Sequence, residues 1–143
     1  MIILDTNVLS ELLRPQPEQA VADWISRQRS SAVFTTSVTE AEIRYGVERL
    51  PTGQRKEALH RAITGIFQED FLGRILPFDS DAAIAYAEIV TSRDQAGRPI
   101  SQFDAQIAAI AGSRGAELAT RNERDFLGCG LRLYNPWSRK SST

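Results

Sequence analysis

Asp5 closes a short apolar run, Met1-Ile2-Ile3-Leu4, and leads into Thr6-Asn7. Three later segments carry acids at comparable junctions: Ser37-Val38-Thr39-Glu40-Ala41-Glu42, Ser101-Gln102-Phe103-Asp104, and Thr120-Arg121-Asn122-Glu123-Arg124-Asp125. Brought to one place, Asp5, Glu42, Asp104 and Asp125 would form an all-oxygen donor set. Two carboxylates about 5 Å apart repel by roughly 3 kcal/mol at an effective dielectric near 20. Four together must take up protons or hold a cation. Oxygen ligands favour Mg²⁺ or Mn²⁺ over zinc. A carboxylate-held Mg²⁺ with open positions binds a phosphate oxygen, orients and activates water, and stabilises a leaving oxygen. That is the equipment of a phosphodiester hydrolase.

Each acid also has a plainer reading. Ser37-x-x-Glu40, Ser101-x-x-Asp104 and Asn122-x-x-Asp125 all have the shape of a helix capping box. Acids in a first helical turn gain roughly 0.3–1 kcal/mol from the helix dipole. Glu40 is assigned to such a cap. Glu42 lies beyond the position where a capping carboxylate is useful. Gly46, one turn further on the same face, keeps the surface beside Glu42 open.

Rival chemistries fail on inventory. His60 is the only histidine, which rules out a two-histidine ribonuclease, and its place inside an amphipathic helix makes it structural or solvent-facing. Cys129 is the only cysteine, so there is neither an internal disulfide nor a cysteine metal knuckle; a small buried thiol in a cytoplasmic protein is the expectation. No Gly-x-x-x-x-Gly-Lys or Gly-x-Gly-x-x-Gly loop occurs. A strand-then-Asp phosphatase wants a second Asp where this chain has Asn7. The net charge of −1 gives no global basic field, yet Lys56 and Lys140 are the only lysines and every other basic residue is Arg, the better bidentate phosphate ligand.

Positioning these acids requires alternating strands and helices. Strand patterns fall at 2–4, 32–36, 74–78, 117–120 and 131–134, with helical spacing at 18–29, 38–50, 54–71, 82–96 and 102–114. A first short helix ends at Arg14-Pro15-Gln16-Pro17, and a short turn of helix follows Asn122. This predicts an α/β fold, a mostly parallel five-stranded sheet with helices on both faces and its chemistry at the strands' carboxyl ends. The 143 residues suit one domain, 1–143, with 138–143 as a frayed tail. No apolar run approaches a membrane span, and with a strand opening at Met1 no signal peptide is expected.

The ordered set of segments resembles a PIN-domain ribonuclease of the VapC toxin family, in its FitB-like subgroup. The matching stretches are Leu4-Asp5-Thr6-Asn7, Ser37 through Gly46, Asp104-Ala105-Gln106-Ile107-Ala108-Ala109 and Thr120-Arg121-Asn122-x-x-Asp125-Phe126. Ile75-Leu76-Pro77-Phe78-Asp79 and Asn135-Pro136-Trp137 add subgroup character. The resemblance implies a Mg²⁺-dependent endoribonuclease, with Mn²⁺ able to substitute. By position, Asp5 and Asp104 would be the chief metal ligands and Glu42 would complete the acidic core. Thr6 would steady Asp5 or a nearby water, and Asp125 would be the fourth acid with Asn122 beside it. Thr120 would order the attacking water or the scissile phosphate, in a hydrolysis leaving a 5′-phosphate and a 3′-hydroxyl. Arg14, Arg98 and Arg121 are expected to meet RNA phosphates.

The resemblance also implies a VapB-like antitoxin whose extended segment lies in a groove of the toxin. Operator DNA would then be reached only through that antitoxin. A homodimer is expected too; apolar groups of Trp24, Ile43, Tyr45 and the long helix could serve that contact or the partner's, with most of them expected in the core. The competing reading is a catalytically silent PIN module that binds such a partner and supports repression. A Mg²⁺-dependent phosphatase acting on small molecules is a weaker third.

Overall fold

The computed structural model describes residues 1–138. Its centre is a five-stranded sheet of β1 (Ile2–Leu4), β2 (Val33–Thr36), β3 (Ile75–Leu76), β4 (Glu117–Ala119) and β5 (Leu133–Tyr134). The strand order is β3-β2-β1-β4-β5 and every pairing is parallel. The expected α/β fold is therefore present, with β1 in the middle. Parallel neighbours require crossovers, and among the described residues six α-helices supply those between β1 and β2, β2 and β3, and β3 and β4: α1 (Thr6–Leu12), α2 (Gln19–Ser26), α3 (Ser37–Glu48), α4 (Gln54–Gly65), α5 (Ser80–Gln95) and α6 (Gln102–Ser113); between β4 and β5 lies only a 3₁₀ turn, Glu123–Phe126.

Side-chain alternation along β1 sends apolar groups to both sheet faces. Ile3 joins Leu118, Ala82, Ile89 and the buried face of α6 in one core; Ile2 and Leu4 join Val8, Val21, Ile43, Val47 and Ile63 in the other. Both faces are thus covered by helices, as an all-parallel sheet requires.

Differences from the sequence reading are local. Ala32 belongs to a 3₁₀ turn, Ser30–Ala32, so β2 starts one residue late. β3 stops at Leu76 because Pro77 has no N–H for a further rung. The long helix over 54–71 is α4 continued by a wider π turn, Ile66–Asp70, closed by the Phe71 N–H on the Ile66 carbonyl at 2.8 Å. α5 starts two residues earlier than the periodicity suggests, because Asp79 caps it by accepting from the Ala82 N–H at 3.0 Å. Trp24 and Ile43 are core residues, as expected of most of these apolar groups; Trp24 stacks on Tyr134 at 5.3 Å, and only Tyr45 of the three is exposed. Of the expected frayed tail, 139–143 lie outside the described residues. Among the described residues no helix is long and apolar enough to cross a membrane.

Candidate acidic active site

β1 delivers Asp5 to the carboxyl edge of the sheet and α1 begins at once. The Asp5 N–H extends the β1–β4 ladder to the Ala119 carbonyl (2.9 Å), while its own carbonyl accepts from Val8 and Leu9 and opens the helix. Its side chain is the N-cap of α1 and is almost fully buried, at 4% exposure. One carboxylate oxygen accepts from the Thr6 N–H (2.8 Å), the other from the Thr120 hydroxyl (2.8 Å). Burial pushes the Asp5 carboxyl up to about 6; the Thr120 and Thr6 hydrogen bonds oppose this, and the charges of Asp104 and Glu42 add to it.

The other acids arrive from three separate elements. Glu42 comes from α3, where the Thr6 hydroxyl donates to its Oε1 at 2.5 Å. Asp104 lies in the first turn of α6, whose N-cap Ser101 accepts from the Asp104 N–H at 3.2 Å. The Asp104 carboxyl is also raised, by burial first and then by the charge of Asp125, with Ser101 and Arg93 pulling the other way. Asp125 sits in a short 3₁₀ turn, Glu123–Phe126. All four line one cavity of about 530 Å³, together with Thr6, Asn122, Arg14 and Arg121.

Several roles differ from those expected. The Thr6 hydroxyl steadies Glu42, not Asp5, and lies 3.0 Å from the Thr39 hydroxyl. Thr120 is fully buried and its single proton is spent on Asp5; its oxygen accepts from the Asn122 N–H at 3.1 Å and meets Asn7 Nδ2 at 3.5 Å. A hydroxyl so saturated holds Asp5 and has no donor left for a water or phosphate. Arg14 and Arg121 line the cavity, whereas Arg98 does not.

Glu40 is also reassigned. The N-cap of α3 is Thr36, one residue earlier than expected, whose hydroxyl accepts from the Thr39 N–H at 3.0 Å. This moves Glu40 past the reciprocal capping position, and it pairs instead with Arg44 at 2.8 Å. The Asn122 side chain makes no cap hydrogen bond either. Glu40→Gln should therefore cost only the roughly 0.3–0.5 kcal/mol of an i,i+4 helix pair, measurable by urea unfolding. A loss above 1 kcal/mol would restore the capping role.

The residue missed altogether is Glu11. It is buried and accepts from the Glu18 N–H at 2.8 Å and from Arg14 at 3.1 and 3.2 Å. These contacts, the Glu18 N–H foremost, hold its carboxyl below the ordinary range. Asn7, Ser10, Glu11 and Arg14 all line the cavity. Their i, i+3, i+4, i+7 spacing, a polar stripe opposite Val8 and Leu9, was a readable signal of a helix face turned toward a site.

The donor set suits a hard divalent cation: oxygen only, with the most buried carboxyl pushed up by burial first and by the charges of Asp104 and Glu42 in addition. Among the described residues no three acidic, histidine or cysteine groups are close enough to cage an ion as they stand. Mg²⁺ does not need such a cage, since it keeps several waters and takes one or two carboxylates.

Residues 2–127 match the family profile of the PIN domain. The chain belongs to the PIN-domain family. Two relatives place this PIN domain among the FitB-like VapC members. It is 38% identical to VapC ribonuclease Y4jK of Sinorhizobium fredii, over 96% of this chain and 98% of that one. It is 39% identical to Toxin FitB of Neisseria gonorrhoeae, over 96% and 99%. Among solved structures, a FitAB assembly bound to the IR36 DNA fragment contains a chain that superposes with a TM-score of 0.94 at 38% identity, covering both chains completely.

Proposed function

We propose that this PIN domain is the endoribonuclease toxin of a type II, VapBC-like toxin–antitoxin pair, acting in the cytoplasm. The observation that carries the proposal is the convergence of Asp5, Glu42, Asp104 and Asp125 on one cavity, with Asp5 buried and both its oxygens fixed. The names of its relatives, one a ribonuclease and the other a toxin, support the same reading.

Asp5 and Asp104, with Glu42 and Asp125, would hold a Mg²⁺ ion or Mn²⁺ in its place. When bound, the ion supplies the positive charge that lets these carboxylates ionise together and polarises water and phosphate. The chain's own groups do the positioning. Thr120 and Thr6 fix Asp5 and Glu42, and the Arg14 and Arg121 guanidiniums at the rim attract the RNA backbone. Water attacks the phosphorus in line, the bond to the 3′-oxygen breaks, and the products carry a 5′-phosphate and a 3′-hydroxyl.

Beside the acidic cavity runs a more apolar groove of about 590 Å³ between α1, α3 and α4, sharing Thr6, Ser10, Arg14 and Glu42 with it. Gly46 lines this groove, and the space beside it is open, with nothing within 4 Å of where a Cβ would stand. This is where a VapB-like antitoxin segment would lie, blocking the acids while its other end binds operator DNA. The FitAB assembly bound to a DNA fragment, which contains a similar chain, supports a partner that reaches DNA, and a homodimer of this chain is part of the same proposal.

The chain purified free of partner should cleave RNA in Mg²⁺ or Mn²⁺, stop with EDTA, and resume when Mg²⁺ is added in excess. Unchanged cleavage in EDTA would overturn the metal dependence. No cleavage under any metal would favour the silent, partner-binding module.

A further inference from the structure

Arg93 is a buried cation near the end of α5, at 7% exposure. Among the described residues no carboxylate lies within ion-pair distance of it. An isolated buried guanidinium is costly, and an apolar side chain would be the cheaper core filler. What compensates Arg93 is a set of backbone carbonyls. Its Nε donates to the Arg98 carbonyl at 2.6 Å, and its Nη1 donates to the carbonyls of Asp125 and Leu127, each at 2.9 Å. The same nitrogen reaches the Cys129 sulfur at 3.6 Å.

Those acceptors belong to two different loops. Arg98 lies between α5 and Ser101, the N-cap of the helix that presents Asp104. Asp125 and Leu127 belong to the turn that presents the fourth acid. A glycine of positive φ turns the chain in each loop beside Arg93. Gly97 takes φ +72, and the next N–H, that of Arg98, returns to the Arg93 carbonyl at 2.9 Å. Gly128 takes φ +79, and a Cβ there would stand 3.7 Å from Arg93 Cδ. The charge of Arg93 is also felt at Asp104, where it opposes the upward push of burial.

We propose that Arg93 is a positioning residue: its guanidinium ties the turn carrying Asp125 to the loop leading into the helix of Asp104, holding the two carboxylates at one spacing for a shared cation. This rests on the metal-dependent reading of the site. The planar fork matters as well as the charge. Lysine, a compact point charge, cannot reproduce one nitrogen on Arg98 and another on both Asp125 and Leu127.

The test uses the full chain, with Arg93→Met and Arg93→Lys, and measures Mn²⁺ dissociation constants by electron paramagnetic resonance beside Tm by circular dichroism. Arg93→Met should weaken Mn²⁺ binding about 10–100-fold, the usual effect of losing a group that orients metal ligands. Arg93→Lys should recover only part of that loss. Asp125→Asn should weaken Mn²⁺ binding in the wild-type background and add little in Arg93→Met, because the carboxylate is already out of place. A purely structural arginine would lower Tm in both variants and leave Mn²⁺ affinity unchanged, which would overturn the proposal. If Arg93→Met does not fold, Arg93→Lys decides: a wild-type Mn²⁺ constant overturns the proposal and a weakened one supports it. A wild-type chain that binds no Mn²⁺ would overturn the metal reading and this inference together.

Discussion

Asp5→Asn should abolish RNA cleavage, by about 100-fold or more, while making the folded protein more stable at neutral pH. The loss follows from removing the charge of a proposed metal ligand. The gain follows from the environment that makes Asp5 useful. Its folded carboxyl titrates at about 6 against 3.8 for the ordinary value. A carboxyl raised on folding costs nothing below the unfolded value. Its penalty grows as pH climbs between the two values and is complete above about 6, at about 3 kcal/mol. Asparagine escapes that penalty but loses one good hydrogen bond, since its amide presents a donor where Thr120 or the Thr6 N–H also donates. That conflict returns about 1 kcal/mol. Urea unfolding should therefore show Asp5→Asn ahead of wild type by about 2 kcal/mol at pH 7, with the advantage vanishing near pH 4. Equal stability at all pH values would mean that burial imposes no penalty on the ionised Asp5.

Thr120→Val should move the whole pH profile of the site. The substitution keeps the shape of a fully buried side chain but removes the proton donated to Asp5. One oxygen of a buried carboxylate then lacks a partner, costing about 1–3 kcal/mol at neutral pH. With that stabilising bond gone, the Asp5 carboxyl titrates higher still. The acid limb of cleavage and of Mn²⁺ binding should shift to higher pH, so the variant loses most near pH 6 and recovers as pH rises. A uniform loss at every pH would instead show Thr120 touching the substrate. The double variant with Asp5→Asn should show strong coupling, because the two side chains act as one unit.

Much of this candidate site is legible in the sequence, and the boundary of legibility has a physical cause. Asp5 at the end of an apolar strand, Glu42 beyond any capping position and Asp104 behind Ser101 are facts of spacing along one chain. The destinations of the hydroxyls are not. Whether Thr6 bonds Asp5 or Glu42, and whether Thr120 faces a phosphate or a carboxylate, depends on the register of β1 against β4 and the seating of α1 on α3. Those are contacts between residues tens of positions apart. Glu40 shows the same limit at short range: Ser37 and Thr36 are both competent caps, and a one-residue choice between them decided the fate of the carboxylate. Glu11 was missed for another reason. It lies on the polar stripe of α1, a helix face, and not at a strand exit where the other acids sit.

The sheet order also dictates when this site can exist during synthesis. β1 is made first and occupies the centre, yet one of its two neighbours, β4, is not made until Glu117–Ala119, and the hydroxyl that fixes Asp5 belongs to Thr120. Asp125 comes later still. A growing chain can pair β1 with β2 and fold helices against them, but it holds Asp5 with one flank bare and one oxygen unbonded. Such long-range parallel pairing is slow and forms late. Under the proposed ribonuclease function, that schedule would keep the growing chain inactive, since the site is complete only once Thr120 and Asp125 have emerged and β4 has paired with β1.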